Sequence, residues 1–292
     1  MRTYLENFMN ACAYPARDVE ELLKVYDAIE ANVAASAEWK ELLRCYENDI
    51  KCDYDAMTKR AAALSGEIKA HRFTLEFLMF VCMTKQAKVY YAQRGLSEEL
   101  FLDTMVDLRY KLEECREVYG ICGSFVSPWF FGFFDLTRFA FGRLQFEVIN
   151  FNHDYEKDGK KLTPESRVIN IHIPRTGTPM SEAACDEAFA LAAKFFEKEI
   201  AGTPTAFACH SWLLFPKHEE MLAETTNVRK FMKRFDIFDS GEYGSYDELW
   251  RLFDRPFKSV DALAYDSSLR RAYVDHIRAG GKTGWGHGVF FY

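Results

Sequence analysis

The sequence predicts an α+β or α/β architecture in two parts, an all-helical domain over residues 1–123 and then a mixed β-sheet flanked by helices over residues 124–292. Three observations carry that reading. Apolar residues recur at helical spacing through the first part, where Pro15 is the only proline before Pro128. From Arg143 the pattern becomes strict alternation, with Arg143, Gln145, Glu147 and Ile149 on one side and Leu144, Phe146, Val148 and Asn150 on the other. The stretch VINIHIPRTGTPMSE, Val168 to Glu182, then reads as a strand, a tight polar turn and a capped helix, and the rest of the chain is organised around it.

Taken in order, residues 17–32 carry Val19, Leu22, Leu23, Tyr26 and Ile29 on one helical face. Ser36 is placed to cap a second helix presenting Trp39, Leu42, Leu43, Tyr46 and Ile50. Residues 73–92 form an apolar helix stopping at Arg94-Gly95, and Ser97 caps another with Leu100, Phe101, Met105, Leu108 and Leu112 at spacings of three and four. His71, a lone histidine on a helix, is expected to be structural. Residues 124–151 hold ten aromatics in twenty-eight positions. Asp135, Arg138 and Arg143 interrupt them, so this is no membrane span but an aromatic core joining helices to sheet, buried from Trp129 to Phe141. The polar row on the strand that follows is either a solvated edge or one wall of a site.

Residues 153–164 read as a charged, solvent-facing loop. Val168 to Ile173 is a β-branched strand stopped by Pro174, and Arg175 to Thr178 is the turn. A helix over residues 181–200 follows, capped by Thr178 with Pro179 or by Ser181. Residues 205–215, TAFACHSWLLF, form a second apolar strand closed by Pro216. A helix over 217–235, a short strand at 235–238, a helical turn near Leu249 and a helix over 267–278 come next. Five glycines in residues 280–288 give either a flexible approach to the terminal strand 289–292 or close backbone contact with a ligand.

Composition narrows the classes of function. An apolar fraction of 49% and a charged fraction of 28% suit a globular chain with its own core. The net charge is −7 with acids and bases interspersed, and no basic stripe invites nucleic acid. Residues 1–18 lack the apolar run of a signal peptide. The eight scattered cysteines therefore read as reduced thiols in a cytoplasmic protein, and no CxxC pair supports a structural zinc site.

The stretch Val168 to Glu182 reads either as an ordinary strand-to-helix connection or as an anion site, since free N–H groups and the dipole of the following helix converge on the turn. The run RFAFGRLQFE, the IHIPRTGTP turn, CHSWLLFP and the closing glycine-rich strand resemble a bacterial group of acyltransferase-domain proteins over nearly the whole chain. In that group a helical N-acyltransferase domain (residues 1–123 here) precedes a GNAT-like domain (residues 124–292). The resemblance implies an acyl-CoA-dependent N-acyltransferase moving an acetyl or short acyl group to a small-molecule amine, without a metal. The donor, acetyl-CoA or another acyl-CoA, would lie where the two central parallel strands, those of His172 and Cys209, splay apart. Its pyrophosphate would sit over Arg175, Thr176, Gly177, Thr178 and Ser181. The turn departs from the GNAT pattern of Arg or Gln followed by x-x-Gly-x-Gly/Ala: it has one glycine, Pro179 has no N–H, and Glu182 puts an acid in the first helical turn.

Transfer to an amine needs a proton acceptor and donors for the developing oxyanion. Asn170 and His172 share a strand face whose reverse, Ile169, Ile171 and Ile173, is aliphatic and suits the core. His172, with an ordinary imidazole pKa of about 6.5, is the candidate base and Glu147 the alternative. Ser211 is the candidate donor near the thioester, with Arg143, Gln145, Asn170, Cys209 and Trp212 as substrate contacts. Two other readings stay open: a non-catalytic GNAT-like binding or interaction protein, and a nucleophilic Cys209 acting with a histidine.

Overall fold

The helical periodicity becomes α1 (Arg2–Ala11), α2 (Ala16–Ala31), α3 (Val33–Asn48), α4 (Tyr54–Ala63), α5 (Ser65–Ile68), α6 (Arg72–Gln93) and α7 (Glu98–Tyr119) in the computed structural model, which describes residues 1–202 and 204–292. Helix α6 is apolar on nearly every side because it is central, burying Phe77, Leu78, Met79, Phe80 and Val81. Ser97 caps α7 as expected, accepting from Leu100 N at 3.1 Å. Ser36 does not cap α3 but lies inside it; the Asn32 side chain does so one turn earlier, accepting from Ala35 N at 3.0 Å. His71 has a structural task, capping α6 by accepting Phe73 N on Nδ1 at 3.1 Å.

The aromatic run completes this helical core. Around α8 (Phe131–Phe134), the rings of Phe130 and Phe134 lie 5.3 and 5.1 Å from Phe80, and Tyr46 donates its hydroxyl to Phe134 O at 2.8 Å. The two compact units are accordingly Met1–Phe139 and Ala140–Tyr292, so residues 124–137 go with the helices, and the division falls inside the first strand of the sheet, Arg138–Phe141.

The second unit contains, in chain order from the hairpin that enters it, β1 (Arg138–Phe141), β2 (Leu144–Asn150), β3 (Tyr155–Lys157), β4 (Lys160–Leu162), β5 (Arg167–His172), α9 (Glu182–Phe195), β6 (Ala206–Ser211), α10 (His218–Met221), α11 (Asn227–Met232), β7 (Asp236–Glu242), α12 (Trp250–Phe253), α13 (Ser268–Arg278) and β8 (Gly284–Phe291). The six-stranded sheet runs β1-β2-β5-β6-β8-β7. Strands β2 and β5, β6 and β8, and β7 and β8 pair antiparallel, whereas β5 and β6 are parallel. The parallel ladder covers Ile169↔Phe207 and Asn170↔Ala208, and both strands continue past it, to His172 and Ser211.

Helix α9 covers one face, with the Phe189 ring 5.1 Å from Phe207, 5.0 Å from Phe290 and 6.1 Å from Phe146. On the other face Phe151 and Leu162 pack with Val168, Ala206, Ala208 and Val289. A separate cluster of Leu249, Phe253, Leu263, Tyr273, Val274 and Ile277 anchors α12 and α13.

Four expectations are corrected. Residues 153–164 are not a bare loop; β3 and β4 form a two-stranded hairpin, turned by Asp158 and Gly159 at φ 50° and 75°, the pair a primed turn requires. Strand β6 ends at Ser211, and residues 212–214 are a 3-10 turn capped by the Ser211 hydroxyl. The long helix over 217–235 is two short ones, because Leu222 is extended and Thr226 starts α11 anew. Finally, the glycine-rich run is itself strand β8: a Cβ on Gly286 would stand 2.2 Å from Leu214 O, and one on Gly284 2.3 Å from Gly241 O. The close approach is to the chain's own backbone.

Candidate active site

Strands β2 and β5 carry the site. Their register pairs Gln145 with His172 and Glu147 with Asn170, so all four side chains stand on the face opposite α9. Ile169 and Ile171, buried on the α9 side, fix that register, since a one-residue slip would bury the polar set. Glu147 Oε1 is 2.6 Å from His172 Nε2 and 3.2 Å from Asn170 Nδ2, and the two nitrogens are 3.2 Å apart. A carboxylate only accepts, so Nε2 carries the proton it shares with Glu147, and Nδ1 is the basic nitrogen. The His172 and Glu147 side chains are 17% and 16% exposed, deep enough for the charge-assisted bond to hold its geometry. Gln145 is 2% exposed, and its Oε1 has no hydrogen-bond partner among the described residues.

The turn after β5 is held from β2. Arg143 donates from Nη1 to Pro174 O at 2.7 Å and from Nε to Thr178 O at 3.0 Å, so its guanidinium ties down two turn carbonyls. Thr176 Oγ1 accepts Thr178 N at 3.2 Å, and Gly177 lies between them. Ser181, not Thr178, caps α9, accepting Ala184 N at 3.3 Å. Arg175 donates to Asp254 Oδ1 at 2.7 Å, and Asp254 also binds Arg270. The acid at the helix start is matched by a cation that sequence reasoning did not single out: Lys230 Nζ lies 2.8 Å from Glu182, with Arg234 beside it on Glu182 O and Asp186. Nothing local in the sequence ties α11 to α9; only the tertiary fold does.

Three residues do not join the Glu147–His172 group. In the parallel register Asn170 is level with Ala208, so Cys209 and Ser211 point to the α9 side, away from His172. Cys209 is 1% exposed, and burial pushes its thiol up to about 12, which leaves it protonated and unsuited to attack. The Ser211 hydroxyl accepts Leu213 N at 3.2 Å. Trp212 packs on Tyr273 and His218, with ring separations of 5.9 and 6.2 Å.

Beyond the end of the β5–β6 ladder the same face continues across β6, β8 and β7. His210 pairs with His287, and His287 with Asp239. No motif marked these residues; the available signal was alternation, His210 two positions from Ala208 and His287 two from Trp285.

Comparison with known proteins follows this geometry. Residues 138–290 match the model of a GNAT-like C-terminal domain, and residues 3–136 match that of an N-acyltransferase N-terminal domain. No curated protein matches. Among solved structures, an acyltransferase in complex with decanoyl-CoA and teicoplanin superposes with a TM-score of 0.75 at 22% identity, covering 98% of this chain and 86% of that one. A mutant acyltransferase in complex with octanoyl-CoA gives 0.75 at 22% identity, with coverage of 98% and 86%. An acyltransferase with decanoyl-CoA gives 0.70 at 22%, covering 97% and 86%. The likeness is one of fold.

Proposed function

Because this chain belongs to the family with the GNAT-like C-terminal domain, we propose that it is an acyl-CoA-dependent N-acyltransferase acting on a small-molecule amine. The observation that carries the reading is the Glu147–His172–Asn170 triangle, set on one face beside the point where the β5–β6 ladder ends. Past Asn170 the inner edge of β5 is no longer paired in that ladder, and an extended pantetheine arm could take up its backbone groups as an added strand would. The donor pyrophosphate would lie over Arg175, Thr176, Gly177, Thr178 and Ser181, using backbone N–H groups and an Arg175 guanidinium released from Asp254.

Transfer is direct. The amine nitrogen attacks the thioester carbonyl, forming the C–N bond; collapse breaks the C–S bond, and the electron pair leaves on the CoA sulfur. The proton lost by nitrogen goes to His172 Nδ1 and then to the thiolate, while Glu147 stabilises the imidazolium formed in between. Asn170 holds the Glu147 carboxylate in place, and Arg143 acts on the turn and not on the reacting atoms. The decanoyl and octanoyl donors of the structural neighbours extend the acyl lengths worth testing beyond acetyl and short chains. All eight cysteines are free, which supports a reducing, cytoplasmic setting, and among the described residues no helix is long and apolar enough to cross a membrane.

The test is thermal melting with CoA, acetyl-CoA and decanoyl-CoA, followed by thiol release in the presence of amines. A ligand at a hundred times its Kd stabilises by about 2.7 kcal/mol. Stabilisation with thiol release supports transfer. Stabilisation by CoA without release from any amine would favour the second reading, a non-catalytic binding protein, which the single-glycine turn and the Arg175–Asp254 pair support. No shift with any CoA species would overturn the donor assignment.

A further inference from the structure

The sheet face opposite α9 carries one polar row that crosses the end of the parallel ladder. Register places Gln145 and His172 on one side of that gap and His210, His287 and Asp239 on the other. The β3–β4 hairpin covers the apolar half of this face, around Val168, Ala206 and Ala208, and within the polar row Gln145 is buried. His210 and Asp239 are exposed, while Trp285 and His287 are half-buried.

The far half of the row is a cluster of aromatic rings in which His287 stands at 83° to His210, with centroids 5.6 Å apart. Trp285 and His210 are 4.6 Å apart at 38°, and the Trp285 ring lies across Gly241, where a Cβ would stand 2.9 Å from it. His287 lies 4.6 Å from Phe238, the bulge residue of β7, with the rings tilted at 44°, and His153 meets His287 edge-on at 4.8 Å. Burial, then His153 and His210, pushes the His287 imidazole down to about 4, and burial lowers His210 as well. At neutral pH the His210 and His287 rings are uncharged, so they offer π-faces and ring nitrogens without repelling a cation. Asp239 closes the row. Its Oδ1 accepts its neighbour Ser240 N at 2.8 Å, and it forms no ion pair among the described residues.

On the acyl-transfer reading above, we propose that the His210–Trp285–His287 ring cluster with Asp239 is the acceptor subsite, and that it takes a ring-bearing amine. The ring system lies on Trp285 and His210 with the His287 ring standing at 83° to His210 beside it, an N–H or O–H group on it donates to Asp239, and the amine end reaches His172 across the gap. From β5 to β7 is three strand steps, about 14 Å at ordinary strand spacing. An acceptor spanning that row is a flat, extended molecule and not a short alkylamine or a free amino acid. The cluster is not a metal site. The only three ligand side chains that converge closely enough among the described residues are Asp18, Glu21 and Cys122, where Arg116 already binds both carboxylates.

The test is equilibrium dialysis of tryptamine and of propylamine against the whole protein at pH 7.5 without acyl donor. Wild type is expected to bind tryptamine about 10-fold or more tighter than propylamine, the upper range of what one aromatic stack supplies. Trp285→Leu and Asp239→Asn should each cut that preference to about threefold or less. Should Trp285→Leu fail to fold, because the ring seals Gly241, Asp239→Asn at an exposed position still decides the matter. A wild-type preference below about threefold, or full preference in a folded variant, overturns the proposal. Dialysis reads binding alone, so its failure leaves acyl transfer standing. Conversely, tryptamine binding without thiol release would retain the subsite and remove the chemistry.

Discussion

Replacing Glu147 by Gln changes one atom at the centre of the proposed mechanism. His172 Nε2 stands 2.6 Å from Glu147 Oε1, with both side chains at least four-fifths buried, so the imidazolium formed during proton transfer faces a carboxylate with little solvent between. A hydrogen bond to a charged group contributes about 1.5–3 kcal/mol and a neutral one about 0.5–1.5. Glu147→Gln keeps shape and an acceptor but loses the charge, a difference of about 1–2 kcal/mol. That corresponds to about 5- to 30-fold in kcat/KM. His172→Ala removes the proton acceptor itself and should cost about 100-fold or more. The assay is acyl-CoA-dependent thiol release with a saturating amine, wild type against both variants, followed from pH 6 to 9. The reasoning fails if the order is reversed, since Glu147 would then be the base and His172 its orienting partner. It also fails if His172→Ala stays within about threefold of wild type.

Other consequences are as direct. His218 is fully buried, with Nε2 2.7 Å from the Tyr273 hydroxyl, and burial lowers its pKa from 6.5 to about 4. Between those values the unfolded chain binds the extra proton, so the contribution is whole above pH 6.5 and is lost as pH falls towards 4. Urea unfolding of wild type should lose about 2–3 kcal/mol more between pH 7 and 4.5 than His218→Phe does; equal losses would refute the assignment. Gly286→Ala puts a methyl 2.2 Å from Leu214 O and should destabilise by about 1–3 kcal/mol, read as a lower Tm. Arg143→Ala frees Pro174 O and Thr178 O, so CoA affinity should fall several-fold with little change in acyl-independent stability, measured by calorimetric titration beside a melt. Native Cys209, buried with its thiol held near 12, should resist alkylation, and Cys209→Ala should keep turnover; an acyl label trapped on Cys209 would contradict direct transfer.

How much could be read beforehand depended on the range of the interaction. Helices α2, α6, α7 and α13 and strands β2 and β5 follow from short-period patterns and, for α7, from the local cap Ser97, and those were legible. The Glu147–Asn170–His172 face was also legible, because alternation alone puts Asn170 and His172 on one side. Their junction with Glu147 needed the β2–β5 register, which no local signal states. Apolar runs were less informative. TAFACHSWLLF could not show that the strand would stop at Ser211, whose hydroxyl caps a turn, nor could residues 217–235 show the break at Leu222. In both cases tertiary packing against β8 and α13 overrides helix or strand preference. The glycines of β8 leave a flexible approach and close contact with a ligand both open in the sequence, because the groups they actually approach, Leu214 O and Gly241 O, are distant in sequence.

A single-residue offset separates the reactive from the inert on this sheet. Cys209 and His210 are neighbours, and so are Ile171 and His172, yet each pair divides between a face packed by α9 and a face open to ligand. That division argues against the cysteine-nucleophile reading more strongly than the raised thiol does. For Cys209 to reach the His172 side, β6 would have to slip one position, which would bury His210 beneath Phe189 and expose Phe207. The turn proposed to hold the donor obeys a similar economy. With one glycine and Pro179 it offers few backbone N–H groups. Arg143 is spent on its carbonyls, Arg175 is shared with Asp254, and the Glu182 charge is answered by Lys230. On the proposed function, affinity for a CoA donor would come largely from the edge of β5 beyond the end of its ladder with β6 and less from phosphate capture. Shortening the donor to its pantetheine thioester should then cost this protein less affinity than it costs an enzyme with a full glycine-rich turn. If pantetheine thioesters instead lose all measurable binding, the turn outweighs the strand edge.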